Sequence, residues 1–375
     1  YPPVFKAEWL KTQAGQTGLD VLYFANRDLA GDPVRAEVTG RLDLTWFGGV
    51  IPGLDPGNFS VRLSGAFTAP ESGTFTLSLA SVGQSRLALD GKVVIDLWAT
   101  RVDAQHGFHP ESQVQIELQA GTVYAIQIDY APAPTAHWRN VRAGCLTPVP
   151  SDSIRQAAAL AAESDVAIVF AGLTEEWESE GYDRPDMELP GKQVELIEAV
   201  SAANPNTIVV LTVGSPVSMN WLDKVAGVVQ AWYTGQESGH AIAEALFGDV
   251  NPSGKLPTTW PKRLQDNPAY INYPGENGRV LYGEGIFVGY RYYDKKEIEP
   301  LFPFGYGLSY TTYAYRNLAL SAAEYTIGDV IRLSVDVENT GPCAGQEIVQ
   351  VYVRDQKSRL VRPDMGHGAD AVGGV

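Results

Sequence analysis

Five carboxylates crowd one short stretch: Glu175, Glu176, Glu178, Glu180 and Asp183. Trp177 and Tyr182 are interleaved with them, and Arg184 follows directly. Neighbouring carboxyl groups can donate and accept protons, or attack an electrophilic carbon. Flat aromatic faces stack on apolar ligand surfaces, while acids bind hydroxyls. A merely solvated acidic loop is the bland alternative for any carboxylate-rich stretch, but here the aromatics favour a site for a neutral, hydroxyl-rich ligand such as a sugar. The stretch follows residues 165–172, a short apolar run ending in glycine that reads as a buried parallel strand. In open α/β sheets, ligands bind in loops beyond the carboxyl ends of the strands.

Composition narrows the field. Acidic residues number 44 against 28 basic ones, for a net charge of -16. Such a field repels polyanions, so no nucleic acid and no membrane partner is expected. No apolar run approaches the ~20 residues of a spanning helix. The 375 residues suggest two or three domains. A chain opening at Tyr1, without a charged-then-apolar leader, reads as a mature form, a processed product or a piece of something longer. Cys145 and Cys343 read as separate structural thiols. His106, His109 and His137 lack metal-ligand spacing, so no metal site and no cofactor is expected. His240, opening a helix, reads as structural. Ser215 and Ser238 lie near element ends without a Gly-Xaa-Ser-Xaa-Gly elbow. Abundant Trp, Tyr, Gly and Pro suit a secreted or periplasmic carbohydrate-active protein.

The elements that must position the loop change character along the chain. Residues 1–148 read as all-β. Alternating runs at 59–67, 73–79, 85–89, 93–96, 114–118 and 123–130 are separated by turn residues, which predicts a sandwich or barrel. Pro148-Val-Pro150 marks a linker. Residues 149–315 then predict an α/β domain: a helix at 154–162 capped by Ser151-Asp-Ser153, strands at 165–172, 207–213 and 225–232, and helices at 193–203 and 239–247. Three clear strands are few for a free-standing domain of this kind. Residues 251–310 read as packed, loop-rich and aromatic, with no phosphate loop among their glycines. Alternation returns at 330–338 and 347–353, opening another β-sandwich over 316–375 that is too short to be whole. Its tail, from 365 onward, is expected to be disordered.

Two resemblances attach to particular motifs. Arg62-Leu-Ser-Gly-Ala-Phe-Thr-Ala-Pro-Glu-Ser-Gly-Thr-Phe and Leu87-Ala-Leu-Asp-Gly-Lys-Val-Val-Ile-Asp96 resemble the protective-antigen-type carbohydrate-binding β-sandwich. Lectin members of that group hold Ca²⁺ with adjacent Asp residues. Here the turn reads Asp90-Gly91, so no calcium site is carried over. Residues 151–353 resemble the C-terminal half of glycoside hydrolase family 3 β-glucosidases. The resemblance rests on Glu178-Ser-Glu-Gly-Tyr-Asp-Arg184, Gly235-Gln-Glu-Ser-Gly239, Leu246-Phe-Gly-Asp-Val-Asn-Pro-Ser-Gly-Lys-Leu-Pro257, Gly289-Tyr-Arg-Tyr-Tyr293, Phe302-Pro-Phe-Gly-Tyr-Gly-Leu-Ser-Tyr310 and Asn339-Thr-Gly341. It implies a β-sandwich insert, the rest of an α/β sandwich with a mainly parallel sheet, and the start of a fibronectin type III-like domain. The family's N-terminal TIM barrel, which carries the Asp nucleophile, has no counterpart in this sequence.

The resemblance further implies a retaining β-glucosidase mechanism with a β-glucoside or oligosaccharide substrate, in which two carboxylates flank the scissile bond. The Glu of the family's Glu-Gly-Xaa-Asp-Arg motif falls on Glu180, the expected general acid/base. Glu178 is the runner-up, since a small shift of the loop would exchange the two. Glu180 is placed first because it directly precedes Gly181, which lets backbone approach a ligand. Asp183 is expected to pair with Arg184 and shape the loop. Trp177, Tyr182 and Arg184 are the expected substrate-binding residues. The missing nucleophile is expected from a separate TIM-barrel chain, a homo-oligomer partner or a lost segment. The alternative is a truncated, non-catalytic carbohydrate-binding homologue.

Overall fold

The computed structural model describes residues 2–47, 53–98, 111–133, 138–174, 176–181 and 183–353. The chain divides into two units, Tyr1–Ser153 and Ile154–Val375.

The first unit is built from antiparallel strands: β1 (Leu10–Lys11), β2 (Leu19–Phe24), β3 (Arg35–Thr39), β4 (Asp43–Phe47), β5 (Ser60–Thr68), β6 (Gly73–Ser81), β7 (Gly83–Leu89), β8 (Lys92–Asp96), β9 (Glu111–Leu118), β10 (Val123–Pro132) and β11 (Trp138–Leu146). They form two sheets. One runs β3-β2-β5-β10-β7-β8 with β1 added alongside β5, and the other runs β4-β11-β6-β9. Alternation explains the layering, because period-two side chains put one face of each sheet inward. Leu63 on β5 faces Ile128 on β10, which faces Leu87 on β7. These meet Phe75, Leu77 and Val141 from the other sheet in one buried core. Phe5 meets Phe67 edge-on at 5.1 Å, and Trp46 stacks on Tyr130 at 5.6 Å. The buried Tyr130 hydroxyl donates to the Val82 carbonyl at 2.8 Å, which satisfies its polar tip.

On the opposite face of the larger sheet, Asp129 on β10 sits between Arg62 on β5 and Arg86 on β7, at 2.7 and 2.8 Å. The Arg86 guanidinium also lies 4.9 Å from the centre of the Trp98 ring. Strands β2, β3, β4 and β11 go beyond the runs legible in the sequence. Their patterns are masked by charge or by consecutive apolar residues, as in Leu22-Tyr-Phe24 of β2.

The second unit opens with α1 (Ser153–Ala162), β12 (Ala167–Gly172), α2 (Gln193–Ala203), β13 (Thr207–Thr212), β14 (Gly227–Gln230) and α3 (Ser238–Phe247). The three strands form a parallel sheet in the order β12-β13-β14. Val209 and Leu211 of β13 pack with Ala161 of α1 and with Ile197 and Val200 of α2. Val210, facing the other way, packs with Ala231 and with Ile242 of α3. The central strand is thus covered on both faces, as a parallel strand requires. β12 is not: Ile168 and Phe170 remain exposed. Helix α2 stops at Asn204-Pro205, as the sequence predicts, and the Asn204 amide donates to the carbonyls of Ala161 and Ser164. Gly248 ends α3 in the left-handed region, at φ 81°. Gln193, at the start of α2, accepts from the Gly172 N–H at 2.7 Å and donates to the Gly172 carbonyl at 3.0 Å.

Beyond α3 the chain is mostly irregular, as expected, with one addition. Residues 290–296 form a short helix, α4 (Tyr290–Lys296). Tyrosines are indifferent helix formers, and here packing decides: Tyr293 is buried, and the Tyr290 ring meets Phe304 at 5.3 Å and Tyr352 at 5.7 Å. Next come β15 (Tyr313–Leu320) and β16 (Leu333–Asn339), an antiparallel pair. The strand expected at 347–353 does not form: these residues join no ladder among the described residues. Side chains hold this segment instead. The Gln350 amide donates to the Gly305 carbonyl at 3.0 Å, and the Tyr315 hydroxyl donates to Glu347 at 2.9 Å. Among the described residues, no helix is long and apolar enough to cross a membrane.

Candidate active site

The carboxyl ends of β12, β13 and β14 lead into the loops that build the site. The β12 loop carries Trp177, Glu178 and Glu180. The β13 loop begins Gly214-Ser-Pro216, and Tyr233 follows β14. One carboxylate joins all three loops. Glu178 Oε2 accepts the Gly214 N–H at 2.6 Å and also the Tyr233 hydroxyl, while Oε1 accepts the Ser215 hydroxyl. The Tyr233 oxygen also lies 3.2 Å from the Leu173 carbonyl. Glycine at 214 makes this possible: a Cβ there would sit 2.8 Å from a Tyr233 ring carbon and 3.0 Å from Glu178 Oε2.

This environment fixes the charge on Glu178. Partial burial alone would raise its pKa, but donors from Ser215, Tyr233 and Gly214, with the Arg184 charge, outweigh it and hold the carboxyl below its ordinary value. Tyr233 shifts the opposite way. Burial, followed by its bond to Glu178, pushes the phenol up to about 12, so it stays a donor.

Glu180 is placed differently. It is exposed, and its carboxylate takes no hydrogen-bond or ion-pair partner among the described residues. Trp177 is 41% exposed, leaving ring surface open for stacking. Arg184 does not pair with Asp183. Its Nη2 donates to the Pro216 carbonyl at 2.6 Å, and its buried Nη1 finds no acceptor among the described residues. Asp183 instead accepts the Tyr273 hydroxyl, and that bond raises the Tyr273 pKa. Two neighbours in sequence thus take different partners. Glu175 and Tyr182 lie outside the described residues, as do His106, His109 and His137. Among the described residues, no group of three or more His, Cys, Asp or Glu side chains is gathered as a metal cluster.

The sequence alone left Gly214, Tyr233 and Tyr273 unmarked and gave Ser215 no role. The signal for the first two was position, since both follow directly on parallel strands. Tyr273 carries no such signal, because it sits in an irregular segment.

Residues 78–310 match the glycosyl hydrolase family 3 C-terminal domain. The chain is 41% identical over 356 residues to a β-glucosidase of Rhizobium radiobacter, covering 92% of this chain and 43% of that protein. It is 44% identical over 333 residues to a probable β-glucosidase I of Aspergillus terreus, covering 84% and 40%. A crystal structure of a selenomethionine-labelled β-glucosidase from Kluyveromyces marxianus matches it with a TM-score of 0.89 at 39% identity, over 97% of this chain and 45% of that one. The same yeast enzyme in complex with glucose gives a TM-score of 0.86. The chain belongs to glycosyl hydrolase family 3, and it spans less than half the length of these relatives.

Proposed function

We propose that this chain supplies the acid/base half of a retaining β-glucosidase site, with Glu180 as general acid and then general base. The observation that carries this reading is the division of labour within the loop. Glu178 is held ionised by three donors, which suits it poorly for delivering a proton. Glu180 is exposed on the same loop and has no hydrogen-bond partner among the described residues. In the first step Glu180 protonates the departing glycosidic oxygen, while an Asp from the remainder of the enzyme attacks the anomeric carbon. In the second it takes a proton from the incoming water. Exposure in this chain does not conflict with an acid role, since the opposing half of the site would close over the carboxyl.

Terminal β-D-glucosyl residues are the proposed substrate, in keeping with relatives named as β-glucosidases. Trp177 offers a stacking face, and Arg184 Nη1 is a donor with no acceptor among the described residues. Tyr182 completes the proposed binding set by its place in the motif. The relatives carry the matching segment and the remainder in one polypeptide, which supports a continuous enzyme over a separate barrel chain or a homo-oligomer partner. The same reading divides the chain at 1–148, 149–315 and 316–375, with β15 and β16 opening a fibronectin type III-like domain.

The test is to assay the full chain on an aryl β-glucoside, both alone and in place of the matching segment of the Kluyveromyces marxianus β-glucosidase. Turnover is expected only in the second case, and Glu180→Gln should lower it ~10²–10⁴-fold. Sugar binding without turnover in either form would instead support the non-catalytic homologue.

A further inference from the structure

We infer that Glu178 is a positioning residue, the centre of a clamp that fixes the β12 loop across the ends of all three parallel strands and so sets where the Glu180 carboxyl stands. This rests on the reading of Glu180 as acid/base. The clamp has two arms. Upstream of Glu180, Glu178 binds the β13 loop through Gly214 and Ser215 and the β14 loop through Tyr233. Downstream, Arg184 holds the Pro216 carbonyl and Asp183 holds Tyr273. Residues 214–216 therefore receive the loop on both sides of Glu180. Both ends of the segment carrying Glu180 are thus tied by side chains to one tripeptide.

The chemistry favours a carboxylate at the centre. Three donors converge on two acceptor oxygens, which only an ionised acid can satisfy fully. A glutamine would turn one NH₂ group toward donors. Proton transfer is steep in distance, and misplacing a catalytic group by about 1 Å costs on the order of 10²-fold. A clamp one residue removed from the acid therefore bears on rate without touching substrate.

Two measurements test this on Glu178→Gln, with Tyr233→Phe as a milder variant should the first fail to fold. In the full chain alone, amide exchange should rise in residues 176–184 and stay unchanged in β13. In the Kluyveromyces marxianus replacement described above, kcat/KM should fall ~10²-fold on an alkyl β-glucoside and only a few-fold on the 2,4-dinitrophenyl β-glucoside, whose leaving group needs no proton. Glu180→Gln should show the same pattern, more strongly. Equal losses on both substrates, or unchanged exchange in the loop, would overturn the clamp. Full alkyl-glucosidase activity in Glu180→Gln would sink the acid/base reading instead, and the exchange result is read without reference to it.

Discussion

The β-sandwich unit and the α/β unit dispose of apolar surface in different ways. In the sandwich, two sheets face one another, and residues such as Leu63, Phe67, Phe75 and Leu77 are almost wholly removed from water. In the α/β unit β13 is enclosed on both faces, and β12 is not. The edge strand β12 leaves Phe170 61% exposed, and apolar residues from Ile327 to Val353 stand open as well. An antiparallel sandwich closes on its own strands, whereas the edge strand β12 of the parallel sheet is buried on one face and exposed on the other. In the second unit polar ties also cross the strand ends, and those ties surround the candidate site.

Three measurements bear on that contrast. The largest effect belongs to the closed core. Phe67→Ala should lower the stability of the sandwich by about 3–5 kcal/mol in denaturant unfolding, while Phe170→Ser should change the α/β unit by no more than about 0.5 kcal/mol. A large loss from Phe170→Ser would mean that the face is not open.

The second concerns the polar ties. Glu178 has a folded pKa below its unfolded value, so its stabilisation is whole above about pH 4.3 and is lost as pH falls through the depressed folded value. The Tm gap between wild type and Glu178→Gln should therefore narrow on acidification, over a range of about one or two degrees once solvent screening is counted. A gap that widened in acid would contradict the ionised clamp.

The smallest effect costs no stability at all. Cys145 is buried in the sandwich, and burial pushes its thiol up to about 12, whereas Cys343 is exposed. A thiol reagent should label Cys343 in the folded chain and Cys145 only after denaturation. Fast labelling of Cys145 would show that the sandwich opens.

Much of this architecture was legible in the residues. The bounds of α2 follow from its apolar spacing and the Asn204-Pro205 stop, and the three parallel strands stand out as apolar runs. Where tertiary contacts decide, the sequence misleads. The run 347–353 has strand-like alternation but no ladder partner among the described residues, and a strand without a partner is not a strand. Tyr290–Lys296 looks like loop and becomes a helix because Tyr290 and Tyr293 find aromatic and buried surroundings. In the candidate site, the motif and Gly181 ranked Glu180 ahead of Glu178, but nothing nearby in sequence showed what Glu178 binds. Its donors Ser215 and Tyr233 lie 37 and 55 residues further on.

The Gln193 side chain has one more consequence. Residues of a parallel ladder alternate in the direction of their peptide groups. The Leu173 N–H bonds to Thr212 across the ladder, so Gly172 faces outward, toward the open edge of β12. There a side-chain amide occupies both its N–H and its carbonyl, as a neighbouring strand would. The template left beside Ile168 and Phe170 is correspondingly short, and short edges recruit stray strands poorly. One glutamine thus caps the outward-facing peptide groups at the carboxyl end of β12.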